Sequence, residues 1–362
     1  MLCDGLQPNR VTCFRHSTGK KEYGMAKLTI AILGLDRLGV SIALRLRAYV
    51  EKGGQHQFEV IGYDSREDFE KPARKLKVLE KVERKPYTAV EQADLVIMNL
   101  PYEDLRAGYE LIAPSLRAGV VLLDTAVIKE PSLKWSVQYL GAEQHWIGFS
   151  PVVNPAYMFE HELDPESASE DYFHDSVIYL TPSVQCMREA IDLAVNFSVI
   201  LGGKPAFLDP AEHDSLTAIT EEIPQLLSIA AYSTAMSHKA WGDAQRLTNP
   251  PFNVLTRYLL THHPDALRDE WLANRERLVR GIDELVRTLN DVRERLAAED
   301  ESAIEAFLIG ASDDYQEWIN RRHKGEWDEQ SSPSVQFDNT IASSLFGGAI
   351  SRKLFGGKDG KK

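Results

Sequence analysis

From Leu28 the chain alternates short apolar runs with stretches of helical period. Leu28–Leu33 is a continuous apolar strand, and a helix follows over about Leu38–Tyr49. Further strands are predicted at Phe58–Asp64, Asp94–Pro101, Gly119–Asp124, across "HWIGFSP" and at Ser176–Pro182. Helices are predicted between them, over Glu67 to about Glu83, Asp104–Leu116, around Leu133–Leu140, and from about Val184 to Leu201. Continuous apolar strands separated by helices point to a parallel sheet covered on both faces, an α/β doubly wound, Rossmann-like domain.

The pattern changes near Gly202-Gly203. After "FLDPAEHD" nearly everything reads as helix to about Lys324. In "DEWLANRERLVRGIDELVRTLNDVRERLAAED" the apolar residues Leu272, Leu278, Ile282, Leu285, Val286, Leu289, Val292 and Leu296 recur at near-helical spacing. Such one-sided helices fit either a free-standing bundle or a face shared with a second copy. The organisation read from the pattern is an extension (1–26), a Rossmann-like domain (27–202), an all-α helical domain (203–324) and a polar tail (325–362). The extension and tail are expected to be disordered, and Met25 stands where a later start would fall. The tail repeats Leu-Phe-Gly-Gly at 345–348 and 354–357.

Composition narrows the functional classes. The 362 residues carry 41 Lys plus Arg against 54 Asp plus Glu, a net charge of −13. That balance argues against nucleic acid as a partner. No apolar run reaches the length of a membrane span, and the start lacks a signal-peptide core, so a cytoplasmic protein is expected. Cys3, Cys13 and Cys186 lie too far apart in sequence to indicate a disulfide framework or zinc cluster. His213-Asp214 and His262-His263 lack the spacing of a closed metal site, so no metal is expected. Neither a phosphate-loop signature nor a hydrolase G-x-S-x-G elbow is present.

The first strand–helix turn carries the candidate cofactor chemistry. It reads Gly34-Leu35-Asp36-Arg37-Leu38-Gly39. Gly34 suits the tight turn and Gly39 close helix–strand packing, while Asp64 ends the second strand, where a carboxylate can bind ribose hydroxyls. Asp64 favours NAD, whereas Arg66, Lys71 and Arg74 could hold the 2′-phosphate of NADP. Asp36 replaces the middle glycine. Two like charges 4 Å apart repel by about 4 kcal/mol at an effective dielectric near 20. That is about three decades of affinity. Arg37 follows directly, but successive helical residues do not face each other. The alternative is that Asp36 caps the helix and turns from the cleft.

Several segments, in order, resemble the prephenate/arogenate dehydrogenase family of tyrosine biosynthesis. They are "GLDRLGVSIALRLR", "LLDTAVIKEP", "WIGFSPVVNP", "LDPAEHDSLTAITEEIPQLLSIAAY" and "FNVLTR", spread over Leu28–Leu296. The resemblance implies a Rossmann domain, a helical dimerisation domain, and a homodimer through the latter. It implies oxidative decarboxylation of a small cyclic carboxylate with NAD or NADP. On that resemblance Arg257 stands at the carboxylate-binding arginine, His213-Asp214 match the His-Asp pair that opens the helical domain, with His213 expected at the substrate, and Lys129 matches the family lysine. The working positions differ. The family's catalytic histidine is Ser150 here and its serine is Val127. The histidines of S-H-L-P-H become Glu222 and Gln225. Ser150, Lys129 and Glu222 are therefore expected to line the reaction centre, with Gly34, Asp36, Arg37, Leu38, Gly39, Asp64 and Arg66 at the cofactor. A serine needs an activator to act as a base near neutral pH. A buried Glu222 or Glu221 could supply one, as could an imidazole from His145 or His161. Two alternatives remain open. One is a dehydrogenase of another small carboxylic acid using Glu222 or Lys129. The other is a catalytically silent binding or regulatory relative.

Overall fold

The computed structural model describes residues 27–160, 162–260 and 263–325. The expectations for 1–26, His161, His262 and 326–362 fall outside these residues.

An eight-stranded sheet with order β3-β2-β1-β4-β5-β6-β7-β8 forms the first layer system. Its strands are β1 (Lys27–Leu33), β2 (Gln57–Tyr63), β3 (Lys81–Val82), β4 (Leu95–Met98), β5 (Val121–Asp124), β6 (His145–Pro151), β7 (Val177–Pro182) and β8 (Lys204–Phe207). The helices threaded among them are α1 (Arg37–Glu51), α2 (Glu67–Lys75), α3 (Pro86–Val90), α4 (Tyr102–Ile112), α5 (Lys129–Tyr139) and α6 (Arg188–Leu201).

Strand alternation sorts side chains to two cores. Leu28, Ile30 and Ile32 of β1 join Leu95 and Ile97 of β4 against α1 and α6. Ala31 and Leu33 turn the other way, with Val96 and Met98, against Tyr102, Leu105 and Tyr109 of α4. Both faces of the central strands are thus covered, which explains their unbroken apolar sequence.

Three features of the sheet and its connections differ from the sequence expectation. The charged stretch after Glu67 does not stay helical to Glu83. It ends at Lys75, and Lys81–Val82 joins the sheet beside β2. The sheet also continues beyond Gly203, because β8 pairs in parallel with β7. Finally, β6 and β7 are antiparallel. Among its described residues the connection over 152–176 has short 3-10 turns and no crossover helix, so the chain re-enters from the edge it left. That edge is the carboxyl end of the parallel strands, so the connection lies over the ligand side of the sheet.

The second unit is helical: α7 (Pro210–Thr217), α8 (Ile223–Met236), α9 (Trp241–Ala244), α10 (Pro250–Thr256), α11 (Pro264–Ala273), α12 (Arg275–Ala297) and α13 (Glu301–Lys324). A π turn over Ala218–Glu222 joins α7 to α8. The run read as one helix from Asp269 is broken at Asn274 into α11 and α12.

Candidate active site

The phosphate turn keeps its shape. Gly34 has φ +107°, and a Cβ there would lie 1.8 Å from the Asn99 carbonyl oxygen. A Cβ on Gly39 would lie 2.1 Å from the Gly34 carbonyl oxygen. Both positions therefore require glycine. Asp36 is the N-cap of α1. Its Oδ1 accepts hydrogen bonds from the amides of Leu38 (3.0 Å) and Gly39 (3.1 Å) and from Asn99 Nδ2 (2.8 Å). The carboxylate thus occupies amides at the helix N-terminus that an anion would otherwise meet. Burial pushes its pKa up, partly offset by these bonds.

Arg37 does not face Asp36. Its amide donates to the Leu163 carbonyl at 2.8 Å, and its buried guanidinium pairs with Glu160. The guanidinium packs over the Tyr157 and Tyr172 rings, 5.2 and 4.6 Å from their centroids. Its placement is toward the 152–176 connection.

Asp64 sits at the end of β2, as expected, with every acceptor direction engaged. Oδ2 accepts from Leu35 N (2.8 Å) and Arg66 Nη2 (2.9 Å), and Oδ1 from Arg66 N and Nε (both 2.9 Å). Arg66 also lies over the Phe69 ring. Lys71 and Arg74 are instead tied along α2 to Glu67 and Glu70.

At the other end of the sheet edge, Ser150 near the end of β6 meets the first helix of the second unit. Ser150 Oγ is 2.8 Å from His213 Nε2. His213 Nδ1 lies 3.3 Å from Asp214 Oδ1 and 3.4 Å from Thr217 Oγ1. Burial lowers the His213 pKa, opposed by Asp214, so the ring is neutral at pH 7. Asp214 is fully buried and accepts the Lys129 amide (2.6 Å) and Glu130 amide (2.9 Å), which open α5. This acid at a helix N-terminus fixes the second unit against the first.

Lys129 supports the arrangement from behind. Its Nζ donates to the carbonyls of Asp124 (2.9 Å), Ala126 (2.6 Å) and Phe149 (3.3 Å). All three ammonium protons are engaged, so none is left for a substrate. Burial brings its pKa down to about 8. Gly148 makes room for it, since a Cβ there would approach Lys129 Cδ at 3.0 Å.

Glu222 is fully buried on the π turn, its pKa raised to about 7 by burial. Oε2 accepts from Asn274 Nδ2 at 2.6 Å, and that same amide nitrogen donates to the Asp214 carbonyl at 3.0 Å. Glu222 Oε1 and Gln225 Oε1 have no hydrogen-bond partner. Arg257 opens a short turn after α10 and pairs with Glu162 at 2.7 Å. His145 begins β6, five residues from Ser150. At about 3.3 Å per residue that is about 16 Å away, on the opposite edge of the sheet. The imidazole at Ser150 comes from His213 instead.

Sequence reasoning did not single out Asn99, Asn274, Glu160, Glu162 or Leu163. Asn99 had a readable signal, as the polar residue ending an apolar strand just before Pro101. Asn274 had none, because its neighbours continue the helical period.

A strand–glycine turn–helix unit with an acid closing the second strand, joined to a helical unit that delivers an imidazole, defines a two-domain nucleotide-binding protein of the dehydrogenase type. The family profile "Prephenate dehydrogenase, nucleotide-binding domain" matches residues 42–206. "Prephenate dehydrogenase, dimerization domain" matches residues 209–309. The chain belongs to the prephenate dehydrogenase family. It is 24% identical over 303 residues to a prephenate dehydrogenase of Bacillus subtilis (strain 168), covering 83% of this chain and 78% of the relative. It is 25% identical over 275 residues to a cyclohexadienyl dehydrogenase of Zymomonas mobilis, covering 75% of this chain and 89% of the relative. Its fold is similar to that of the prephenate dehydrogenase of A. aeolicus in complex with hydroxyphenyl propionate and NAD+. That likeness has a TM-score of 0.65 at 19% identity, over 80% of this chain and 98% of the other. The Synechocystis arogenate dehydrogenase gives a TM-score of 0.61 at 18% identity, over 80% and 100% of the two chains.

Proposed function

We propose that the protein is an NAD(P)-dependent dehydrogenase of the prephenate/arogenate type in which Ser150, acting with His213 and Asp214, does the work of the family's catalytic imidazole. The observation that carries this reading is the 2.8 Å contact between Ser150 Oγ and His213 Nε2. With Nδ1–H turned to Asp214, Nε2 is the acceptor for the serine proton. The ring hydroxyl of the substrate gives its proton to Ser150 Oγ as Ser150 gives its own to His213. Asp214 then stabilises the imidazolium, while Lys129 holds the Phe149 carbonyl and so fixes Ser150. A nicotinamide, when bound, would supply the hydride acceptor for this oxidation and decarboxylation.

The turn around Gly34 and Gly39 keeps the close backbone packing of a dinucleotide turn, and a pyrophosphate would lie against it once the Asp36 carboxylate gives up the Leu38 and Gly39 amides and Leu163 the Arg37 amide. At the ribose end, Asp64 is saturated by Leu35 and Arg66, which favours a cofactor whose 2′-phosphate meets the Arg66 guanidinium. Arg257 would anchor a substrate carboxylate. The helical unit would pair with a second copy. Val279, Val286, Leu289 and Leu296 leave an exposed apolar stripe along α12.

Two measurements test the reading. Calorimetric titration with NAD and NADP separately is expected to show binding, tighter for NADP. Mixing with prephenate or arogenate is expected to give reduced cofactor and carbon dioxide. Absence of binding for both cofactors at millimolar concentration rejects it.

A further inference from the structure

The 152–176 connection leaves the sheet immediately after Ser150 and Pro151. It then touches two separate places where anionic ligands would be held. The first is the phosphate turn, where the Leu163 carbonyl takes the Arg37 amide and Glu160 takes the Arg37 guanidinium. The second is the substrate arginine, where Glu162 Oε1 takes Arg257 Nη2 at 2.7 Å. Glu162 also approaches Arg37 Nη1 at 3.9 Å, so one carboxylate spans both places. Arg37 is built to keep this contact. Its guanidinium is packed against Tyr157 and Tyr172 of the same connection, and its exposure is 2%. The amides of Leu38 and Gly39 are already taken by Asp36. The backbone amides of three successive turn residues, and one guanidinium nitrogen of the arginine of the helical unit, are therefore engaged by oxygens of the chain itself.

We propose that Glu160, Glu162 and Leu163 form a self-docked strap that stands in for the anionic groups of cofactor and substrate together, and that its release couples the two binding events. The proposal rests on the dehydrogenase reading. A substrate carboxylate at Arg257 must displace Glu162. Losing that contact loosens the strap at Arg37 and frees its amide for the pyrophosphate. A dinucleotide arriving first has the reciprocal effect on Arg257, because coupling between two sites is mutual. Each ligand then removes part of the cost the other would otherwise meet.

The magnitude is modest. The Arg257–Glu162 pair is half-exposed, and exposed pairs of this kind typically change an equilibrium by about two- to five-fold. The test is calorimetric titration of the full chain with NADP, NAD and hydroxyphenyl propionate, each alone and with the other ligand saturating. The variants are Glu162→Gln, Glu160→Gln and, as an exposed control on the same connection outside both contacts, Glu166→Gln. Glu162→Gln is expected to tighten hydroxyphenyl propionate binding by about two- to five-fold. Glu160→Gln is expected to tighten dinucleotide binding. In the parent chain each ligand is expected to tighten the other, and in Glu162→Gln that coupling is expected to fall toward one. The control is expected to match the parent. Dinucleotide binding that is equal in all four chains, with no coupling, overturns the strap and leaves the dehydrogenase reading standing. No dinucleotide binding in any of them overturns both. Binding that emerges only when Glu160 or Glu162 is changed supports the strap in its strongest form.

Discussion

Ser150 Oγ lies 2.8 Å from His213 Nε2, a contact between the last turn of a sheet strand and the first helix of the second unit. Neither residue is a sufficient base by itself. The serine hydroxyl is too weak an acid–base group at neutral pH, and in the proposed mechanism the imidazole acts on the substrate through it. Burial lowers the His213 pKa below its ordinary 6.5. On the proposed mechanism a neutral ring is the active form, so kcat/KM is expected to be flat at neutral pH and to fall only as pH drops below about 6.5. An activity profile with its acid limb above neutrality would count against His213 as the acceptor.

Lys129 acts by position. Its folded pKa, about 8, lies below the 10.5 of an exposed lysine. The unfolded chain therefore binds more protons between these values, so this group makes stability rise with pH from about 8 to 10.5. Lys129→Met removes that rise and leaves the carbonyls of Asp124, Ala126 and Phe149 unpaired. A loss of about 2–4 kcal/mol at pH 7 is expected in urea denaturation. A near-neutral effect would show that the three bonds merely offset the cost of burying the ammonium.

Glu222 has the opposite sign. Its folded pKa is raised from 4.5 to about 7, so the folded state holds the extra proton between those values. Its contribution is fully present below 4.5 and is lost as pH rises through 7, by about 3 kcal/mol at most. Glu222→Gln keeps a partner for Asn274 and is expected to flatten this slope, making the variant the more stable chain at pH 8. Thermal melts at pH 5 and pH 8 measure it, and an unchanged slope would assign the titration to the neighbouring buried Glu270, whose pKa is also raised to about 7.

The exposed stripe on α12 predicts assembly. Val286→Glu and Leu289→Glu place charges on residues 48% and 53% exposed. Each substitution leaves the fold of one copy intact and is expected to convert a dimer to a monomer in light scattering. A parent chain that is already monomeric at micromolar concentration contradicts the pairing.

Much of this architecture was legible in the sequence. Ile30, Ile32, Val96 and Ile97 announce a sheet buried on both faces, because only such strands dispense with polar alternation. Gly34 and Gly39 announce the turn, since the backbone there admits no Cβ. Asp36 as a helix cap was one of two readings that local chemistry allowed. The pairing of Ser150 with His213 was not legible, as the two lie 63 residues apart and come together through the docking of α7 on α5. The Glu162–Arg257 pair spans 95 residues and was hidden for the same reason. Lys129 read as a group for chemistry because sequence cannot show that its ammonium is aimed at backbone carbonyls.

The central claim is that a serine–imidazole pair does the work of the family's catalytic histidine. The most direct measurement is single-turnover reduction of NAD and NADP by prephenate and by arogenate, comparing the parent chain with Ser150→Ala, His213→Gln and the double variant. The account predicts turnover by the parent and a loss of about 100- to 10,000-fold in each single variant. It predicts little further loss in the double variant, because residues acting as one unit are not additive. Turnover that survives His213→Gln undiminished, or losses that multiply in the double variant, would contradict it.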